Sequence, residues 1–248
     1  MDLRSGERLD DLGRTGLKLI QSRTWVPFAI DSILLCHFAR LHPRERLLDL
    51  GTGTGVIPLL LSALHPTAAL HGLELQPELA DMARRSVAFN GLAERVQIRD
   101  GDWRQVTAIY GARAFTAVTL NPPYRRPGTG RLSPVPQRAR ARHALDGTLA
   151  DALVAAAACL RDRGRLFLVF PAERLAELLS ELRGLRLEPK RLRPVYSAPG
   201  REARLVLVEA HKDGRPGLHL EPPLVIYAGD GTYSVEVAQY FVLGGSEP

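Results

Sequence analysis

Short apolar runs bounded by turn residues alternate, along most of the chain, with stretches whose apolar positions recur at helical spacing. "RLLDL" (46–50), "AALHGLEL" (68–75), "RVQIRD" (95–100), "AFTAVTL" (114–120) and "RLFLVF" (165–170) read as buried strands. Among them, "VIPLLLSALH" (56–65), "PELADMARRSVAFNG" (77–91) and "DGTLADALVAAAACLRDRG" (146–164) read as helices. Pro77 fits a first helical turn, where a missing N–H costs nothing, and Asn90-Gly91 and Gly164 supply C-terminal stops. "AERLAELLSELRG" is a further helix. The runs "RLEPKRLRPVY" (186–196) and "ARLVLVEAH" (203–211) have no helical pattern between them, which predicts an antiparallel hairpin. Strands alternating with helices predict parallel crossovers and an α/β, doubly wound sheet with helices on both faces.

The flanks are plainer. "GLKLIQ" (16–21) reads as a strand and "DSILLCHFARL" (31–41) as an amphipathic helix capped by Asp31. Residues 1–45 therefore form a short extension, a strand plus a helix, packed on a core domain of 46–248 with C-terminal decoration. In that decoration "DGRPGLHLEPP" is loop-like, and "LVIYA" and "YSVEV" are candidate edge strands.

Composition adds exclusions. A chain of 248 residues with 45% hydrophobic and 24% charged content is an ordinary globular protein. The opening "MDLRSGERLDDLG" is polar, and no run nears the roughly 18 apolar residues of a membrane span. A cytoplasmic monomer without a membrane partner is the expectation. Cys36 and Cys159 sit in apolar helical segments, as buried thiols do. His37, His42, His65 and His71 show no metal-ligand spacing, so they read as structural and no metal is expected.

Charge is uneven. The net charge is +6, and only Lys18, Lys190 and Lys212 are lysines. From Trp103 to Leu145 there is no acidic residue, yet Arg104, Arg113, Arg125, Arg126, Arg131, Arg138, Arg140 and Arg142 all occur. Such a stretch can track phosphates and release their counterions, although it also reads as a solvated basic loop.

"LLDLGTGTGVIPLL" places Gly51, Gly53 and Gly55 between a strand and a helix, where the backbone can turn sharply and approach a ligand. The spacing is G-x-G-x-G, not the G-x-G-x-x-G of dinucleotide sites. Asp49 beside the loop suits a ligand with an ammonium group better than a pyrophosphate. Glu74 ends the next strand, where a carboxylate can accept from both ribose hydroxyls. After the third strand, "DGDWRQ" offers Asp102 and Trp103 to bracket an adenine, with Asp100 as the alternative acid. An ammonium, a ribose and an adenine together describe S-adenosylmethionine.

In these motifs, over about residues 30–210, the chain resembles the class I S-adenosylmethionine-dependent methyltransferases. "LDLGTGTG" is similar to their first motif, "LELQ" to their ribose-binding acid and "NPPY" (121–124) to their catalytic motif after the fourth strand. The resemblance implies a Rossmann-like seven-stranded sheet of order 3-2-1-4-5-7-6 with the last strand antiparallel. It also implies cofactor contacts from Asp49, Gly51, Gly53, Gly55, Glu74, Asp102, Trp103 and Asn121.

Asn-Pro-Pro-Tyr fits methyl transfer to a planar, conjugated nitrogen. The side-chain oxygen of Asn121 and the main-chain oxygen of Pro122 can each accept one N–H and aim the lone pair at the methyl group. Tyr124 can stack on the ring, and Arg125, Arg126 and Arg131 can follow the phosphates of a substrate RNA. Loops of this type act on adenine N6, guanine N2 or a release-factor glutamine, and the short N-terminal segment argues against the last. A non-catalytic RNA-binding module is a further reading, weakened by the intact Asn121 and glycines.

The finer pattern resembles the bacterial tRNA adenine-N6 methyltransferases acting on the anticodon loop of a valine tRNA. It rests on "IQ…FAIDSILLCHF" (20–38), "RARARHAL…TLADALVAAAACL" and the tail "RLVLVEAHKDGRPGLHLEPPLVIYAGDGTYSVEV". Ala144 stands where that family commonly has an acid. Both cofactor contact and helix capping are open for Asp31, as are phosphate contact and packing for His143.

Overall fold

The computed structural model describes residues 3–23, 29–122 and 149–241. Pro123, Tyr124, Arg125, Arg126, Arg131, His143 and Ala144 lie outside the described residues, so their expected roles have no structural counterpart here. Strands β1 (Glu7–Asp11) and β2 (Lys18–Ser22) pair as an antiparallel hairpin. Helix α1 (Ile30–Phe38) leads to β3 (Arg46–Leu50), α2 (Val56–Leu64), β4 (Ala69–Glu74), α3 (Pro77–Phe89) and β5 (Val96–Asp100). Next come a 3-10 turn (Trp103–Gln105), α4 (Val106–Tyr110) and β6 (Phe115–Leu120). Beyond residue 148 follow α5 (Leu149–Cys159), β7 (Leu160–Pro171), α6 (Leu175–Gly184), β8 (Leu187–Tyr196) and β9 (Ala203–Lys212). The chain closes with β10 (His219–Leu220), β11 (Leu224–Val225) and α7 (Val235–Tyr240).

The sheet runs β10-β8-β9-β7-β6-β3-β4-β5, with β11 also on β8. Read from β5, its first seven strands have the order 3-2-1-4-5-7-6 that the resemblance implied. β9 is antiparallel to both neighbours, so the expected hairpin is present. Two short strands on β8 make nine in all. Side chains alternate across the sheet with period two. Leu47, Ala117, Phe167 and Val169 join the core under α1, α2 and α3, while Leu48, Val118, Leu166 and Leu168 join the second core under α5 and α6.

Several expectations need correction. β1 was not expected, because its charged "ERLDD" lies on the edge of a two-stranded ribbon where only alternate positions must be apolar. The Ala-rich helix ends at Cys159 rather than Gly164. Leu160 already pairs with Phe115 at the start of β7, and the left-handed residue of the bulge is Arg163 (φ 59°). Helix α1 is capped at Ala29, and Asp31 falls in its first turn. "YSVEV" is no edge strand: the Ser234 hydroxyl accepts from the Val237 N–H at 3.2 Å and starts α7. Capping chemistry outweighs the β-branched composition there.

Candidate active site

Because β3, β4, β5 and β6 are parallel and in register, their C-terminal ends meet at one edge of the sheet. Leu50 lies beside both Leu73 and Leu120, and Glu74 beside Asp100. The glycine loop, Glu74, the Asp100–Trp103 turn and Asn121 therefore share the edge at which open α/β sheets bind ligands. A cleft of about 170 Å³ opens there, lined by Gly51–Thr54, Val56, Ile57, Leu79 and Asn121, and by Gln21, Ser22 and Ser32 from the N-terminal segment.

All three loop glycines have left-handed φ (+73°, +58° and +86°), and each is needed for its own reason. A Cβ at Gly51 would stand 3.2 Å from the Trp103 ring, and one at Gly55 would stand 3.0 Å from the Ala83 methyl. A Cβ at Gly53 would meet nothing within 4 Å among the described residues, so that glycine borders open space on the cleft. Helix α2 starts at Val56 behind Gly55, which brings no side-chain cap. The first N–H groups of α2 thus face a cleft suited to a carboxylate.

Glu74 is 4% exposed, and its two oxygens accept from the N–H groups of Gly53 (2.8 Å) and Gln76 (3.0 Å). Burial pushes its pKa above the usual carboxylate value, against the pull of those N–H donors.

Asp49 does not line the cleft. It shares a sheet face with Thr119, its neighbour in register, and the Thr119 hydroxyl donates to Asp49 Oδ1 at 2.8 Å. Asp49 Oδ2 and the Thr52 hydroxyl are both buried without a hydrogen-bond partner among the described residues. Burial raises the Asp49 pKa to about 7, and the Glu74 carboxylate adds to the rise, while the Thr119 hydroxyl opposes it. A buried acid just below the loop, with no ion pair among the described residues, would favour a ligand's ammonium group.

Trp103 packs under Gly51, and Asp102 caps its turn by accepting from the Arg104 N–H at 2.9 Å. The Arg104 guanidinium also lies on Asp102, 2.5 Å away, and lowers its pKa. Asp100 pairs with Arg84 at 2.9 Å. Both candidate acids for an adenine thus stand at the expected strand end, each already holding an arginine.

At the far end of the cleft, the Asn121 amide donates from Nδ2 to the Ser32 hydroxyl at 3.1 Å. The bond holds the Asn121 side chain against the head of α1 at the wall of the cleft. Ser32, in the first turn of α1, is 4% exposed. It is Ser32, rather than Asp31, that lines the cleft. Sequence reasoning missed Ser32, Ser22 and Thr119. A polar residue at the head of a helix or inside an apolar strand was the signal available, and neither pointed to a partner far along the chain.

The residues present fit S-adenosylmethionine: a glycine cradle, an uncapped helix start, a buried acid below the loop and a carboxylate at the second strand end. Among the described residues no group of His, Cys, Asp and Glu could hold a metal, and no helix is long and apolar enough to cross a membrane.

Comparison with known proteins agrees with this geometry. The model of the Methyltransferase small domain family matches residues 30–183. The tRNA1(Val) (adenine(37)-N6)-methyltransferase of Porphyromonas gingivalis is 31% identical over 215 residues, covering 83% of each chain. The protein of the same description from Aeromonas hydrophila is 31% identical over 207 residues, covering 82% of this chain and 84% of its own. Among solved structures, a predicted O-methyltransferase, protein Atu636 from Agrobacterium tumefaciens, superposes with a TM-score of 0.71 at 23% identity. It covers 88% of this chain and 98% of its own.

Proposed function

The chain belongs to the Methyltransferase small domain family, and from that premise we propose that it methylates the exocyclic N6 amine of an adenine in a tRNA anticodon loop. It is an S-adenosylmethionine-dependent methyltransferase acting on RNA. The observation that carries the methyl-transfer reading is Asn121, fixed by Ser32, lining the same cleft as the glycine loop. The support for tRNA is the likeness, over most of both chains, to relatives named for that substrate.

When bound, the cofactor supplies an electrophilic methyl group on a positive sulfur. The chain's residues hold and orient. The Gly51–Gly55 loop and the start of α2 take the amino-acid end, with Asp49 favouring its ammonium from below, and Glu74 takes the ribose. The Asn121 carbonyl oxygen accepts one N–H of the adenine amine, and the Pro122 carbonyl accepts the other. The amine's lone pair then lies toward the methyl group, and both acceptors bind more strongly as the nitrogen gains positive charge. Accepting the methyl group that a bound cofactor would supply would leave the amine nitrogen with a surplus proton, which would pass to water. In this reading Tyr124, two residues after Pro122, stacks on the base, and Arg125, Arg126 and Arg131 follow the phosphates. Anticodon-loop bases are unpaired and can be splayed out, so reaching one costs less than opening a duplex.

Incubation with labelled cofactor and, separately, bulk tRNA, ribosomal RNA, DNA and release factor tests the reading. Label recovered as N6-methyladenosine in tRNA is expected. Label found only on methylguanosine, or only on release factor, would replace it.

A further inference from the structure

The C-terminal segment carries a feature the cofactor chemistry does not use. Residues 226–234 form a small hairpin in which the Ser234 N–H donates to the Ile226 carbonyl (2.9 Å) and the Ala228 N–H to the Thr232 carbonyl (2.8 Å). Gly231 (φ +84°) and the Asp230 carboxylate, which accepts from the Thr232 N–H at 2.9 Å, shape its turn. This pairing sets Tyr227 opposite Tyr233, and cross-strand partners share one face. Their rings stack at 5.3 Å between centroids with 13° between planes, and Phe241 continues the column from Tyr233 at 5.0 Å and 23°. Tyr227 is 39% and Tyr233 41% exposed, whereas Phe115, Phe167 and Phe170 are fully buried.

The column stands at the catalytic edge of the sheet. β11 runs parallel to β8, with Val225 beside Tyr196. β8 points the same way as β6 and β7, since β9 is antiparallel to both β7 and β8. Tyr227 thus leaves the sheet at the end where Asn121 leaves it. Four strand spacings separate β11 from β6, about 19 Å at about 4.8 Å each. The Tyr227 N–H donates to the Ser197 carbonyl (2.9 Å), where the β8–β9 loop begins. That loop carries Arg201, exposed and without an ion pair among the described residues.

We propose that the Tyr227–Tyr233–Phe241 column is a stacking platform for an unpaired base of the substrate RNA, a few nucleotides from the target adenine, with Arg201 on the adjoining phosphate. The proposal rests on the tRNA reading above. A flat, solvent-facing π-surface beside a guanidinium matches a base and its phosphate. Arg201 is followed by the exposed Glu202, so stacking rather than charge supplies most of the attraction.

The test uses the full-length chain with an unmodified anticodon stem-loop RNA. Tyr227→Leu keeps an apolar side chain but removes the π-face. It should weaken RNA binding about tenfold, as the loss of one base–aromatic stack does. KM for RNA should rise by the same factor, with kcat, cofactor affinity and the salt slope of binding unchanged. Tyr227→Phe and Tyr227→Trp should bind as wild type or more tightly. Ultraviolet cross-linking of wild-type protein to the RNA should map to the 226–234 peptide, which keeps the test decisive if Tyr227→Leu loosens the hairpin. Wild-type affinity in Tyr227→Leu, no cross-link at 226–234, or a change of oligomeric state in place of RNA affinity would each overturn the platform while leaving the tRNA reading intact. A wild-type chain that neither binds nor methylates tRNA would overturn both.

Discussion

At the scale of single residues, the site depends on where one amide points. Asn121 is held by its hydrogen bond to Ser32, and its amide oxygen is the acceptor that the proposed mechanism offers to an incoming amine. Asn121→Ala should abolish methylation with cofactor affinity nearly unchanged; equal loss of both, measured by turnover and calorimetry, would make it a cofactor residue. Ser32→Ala removes only the orienting hydroxyl. A drop in kcat of about two- to tenfold is expected from the net value of one hydrogen bond, with Ser32→Thr restoring it. Asp49 makes a different prediction. Its pKa is 3.8 when unperturbed and about 7 in the fold, so between those values the folded chain holds a proton that the unfolded chain has lost. Stability of the cofactor-free protein is therefore greatest below about pH 4 as far as Asp49 is concerned, and falls as pH rises to about 7. Asp49→Asn should gain stability over wild type between pH 5 and 8, by no more than about 4 kcal/mol, while losing cofactor affinity. Urea unfolding at the two pH values reads the difference, and parallel profiles would contradict it.

Among the elements, α1 decides whether Ser32 can reach Asn121, and α1 is held from its other end. The Phe38 carbonyl accepts from Arg191 at 2.8 Å, that of Ala39 meets the His65 ring at 3.2 Å, and that of Arg40 accepts from Arg165 at 2.8 Å. Cationic and ring donors from β8, the end of α2 and β7 thus satisfy the acceptors that a helix terminus leaves open. Arg165 also binds the buried Glu45, 2.5 Å away, and Glu209 bridges to Arg191 at 2.7 Å. Replacing Arg165 by Met would leave Glu45 buried without its cation, at a cost of about 3–5 kcal/mol in urea unfolding. Because α1 would also lose an anchor, kcat should fall further in Arg165→Met than a cleft-distant surface change could explain. The N-terminal hairpin is tied down in the same manner, with Arg85 of α3 on the buried Glu7.

Taken whole, the molecule carries net charge +6, and its long acid-free stretch, Trp103 to Leu145, runs through the catalytic motif and on past it. Every arginine–phosphate pairing that is removed should flatten the dependence of log affinity on log salt by about 0.7 for a single-stranded RNA. Replacing Arg125, Arg126 and Arg131 together should therefore weaken tRNA binding and cut that slope by about 2, as titrations at several salt concentrations would show. An unchanged slope would put the phosphate path elsewhere on the protein.

The alternation of apolar runs and helical periods was enough to settle the α/β class and the β8–β9 hairpin, because period and turn chemistry are local properties of the chain. The glycine loop was legible for the same reason: the φ each glycine adopts is forced within a few residues. What lay beyond sequence was every relation between distant segments. Ser32 meets Asn121, Thr119 meets Asp49, and Tyr227 shares an edge with the cleft only because parallel strands in register bring their ends together. Burial is likewise a property of the assembled core, and it is the main cause that moves the Asp49 pKa to about 7. Even "YSVEV", strand-like by composition, became a helix when Ser234 found an N–H to cap.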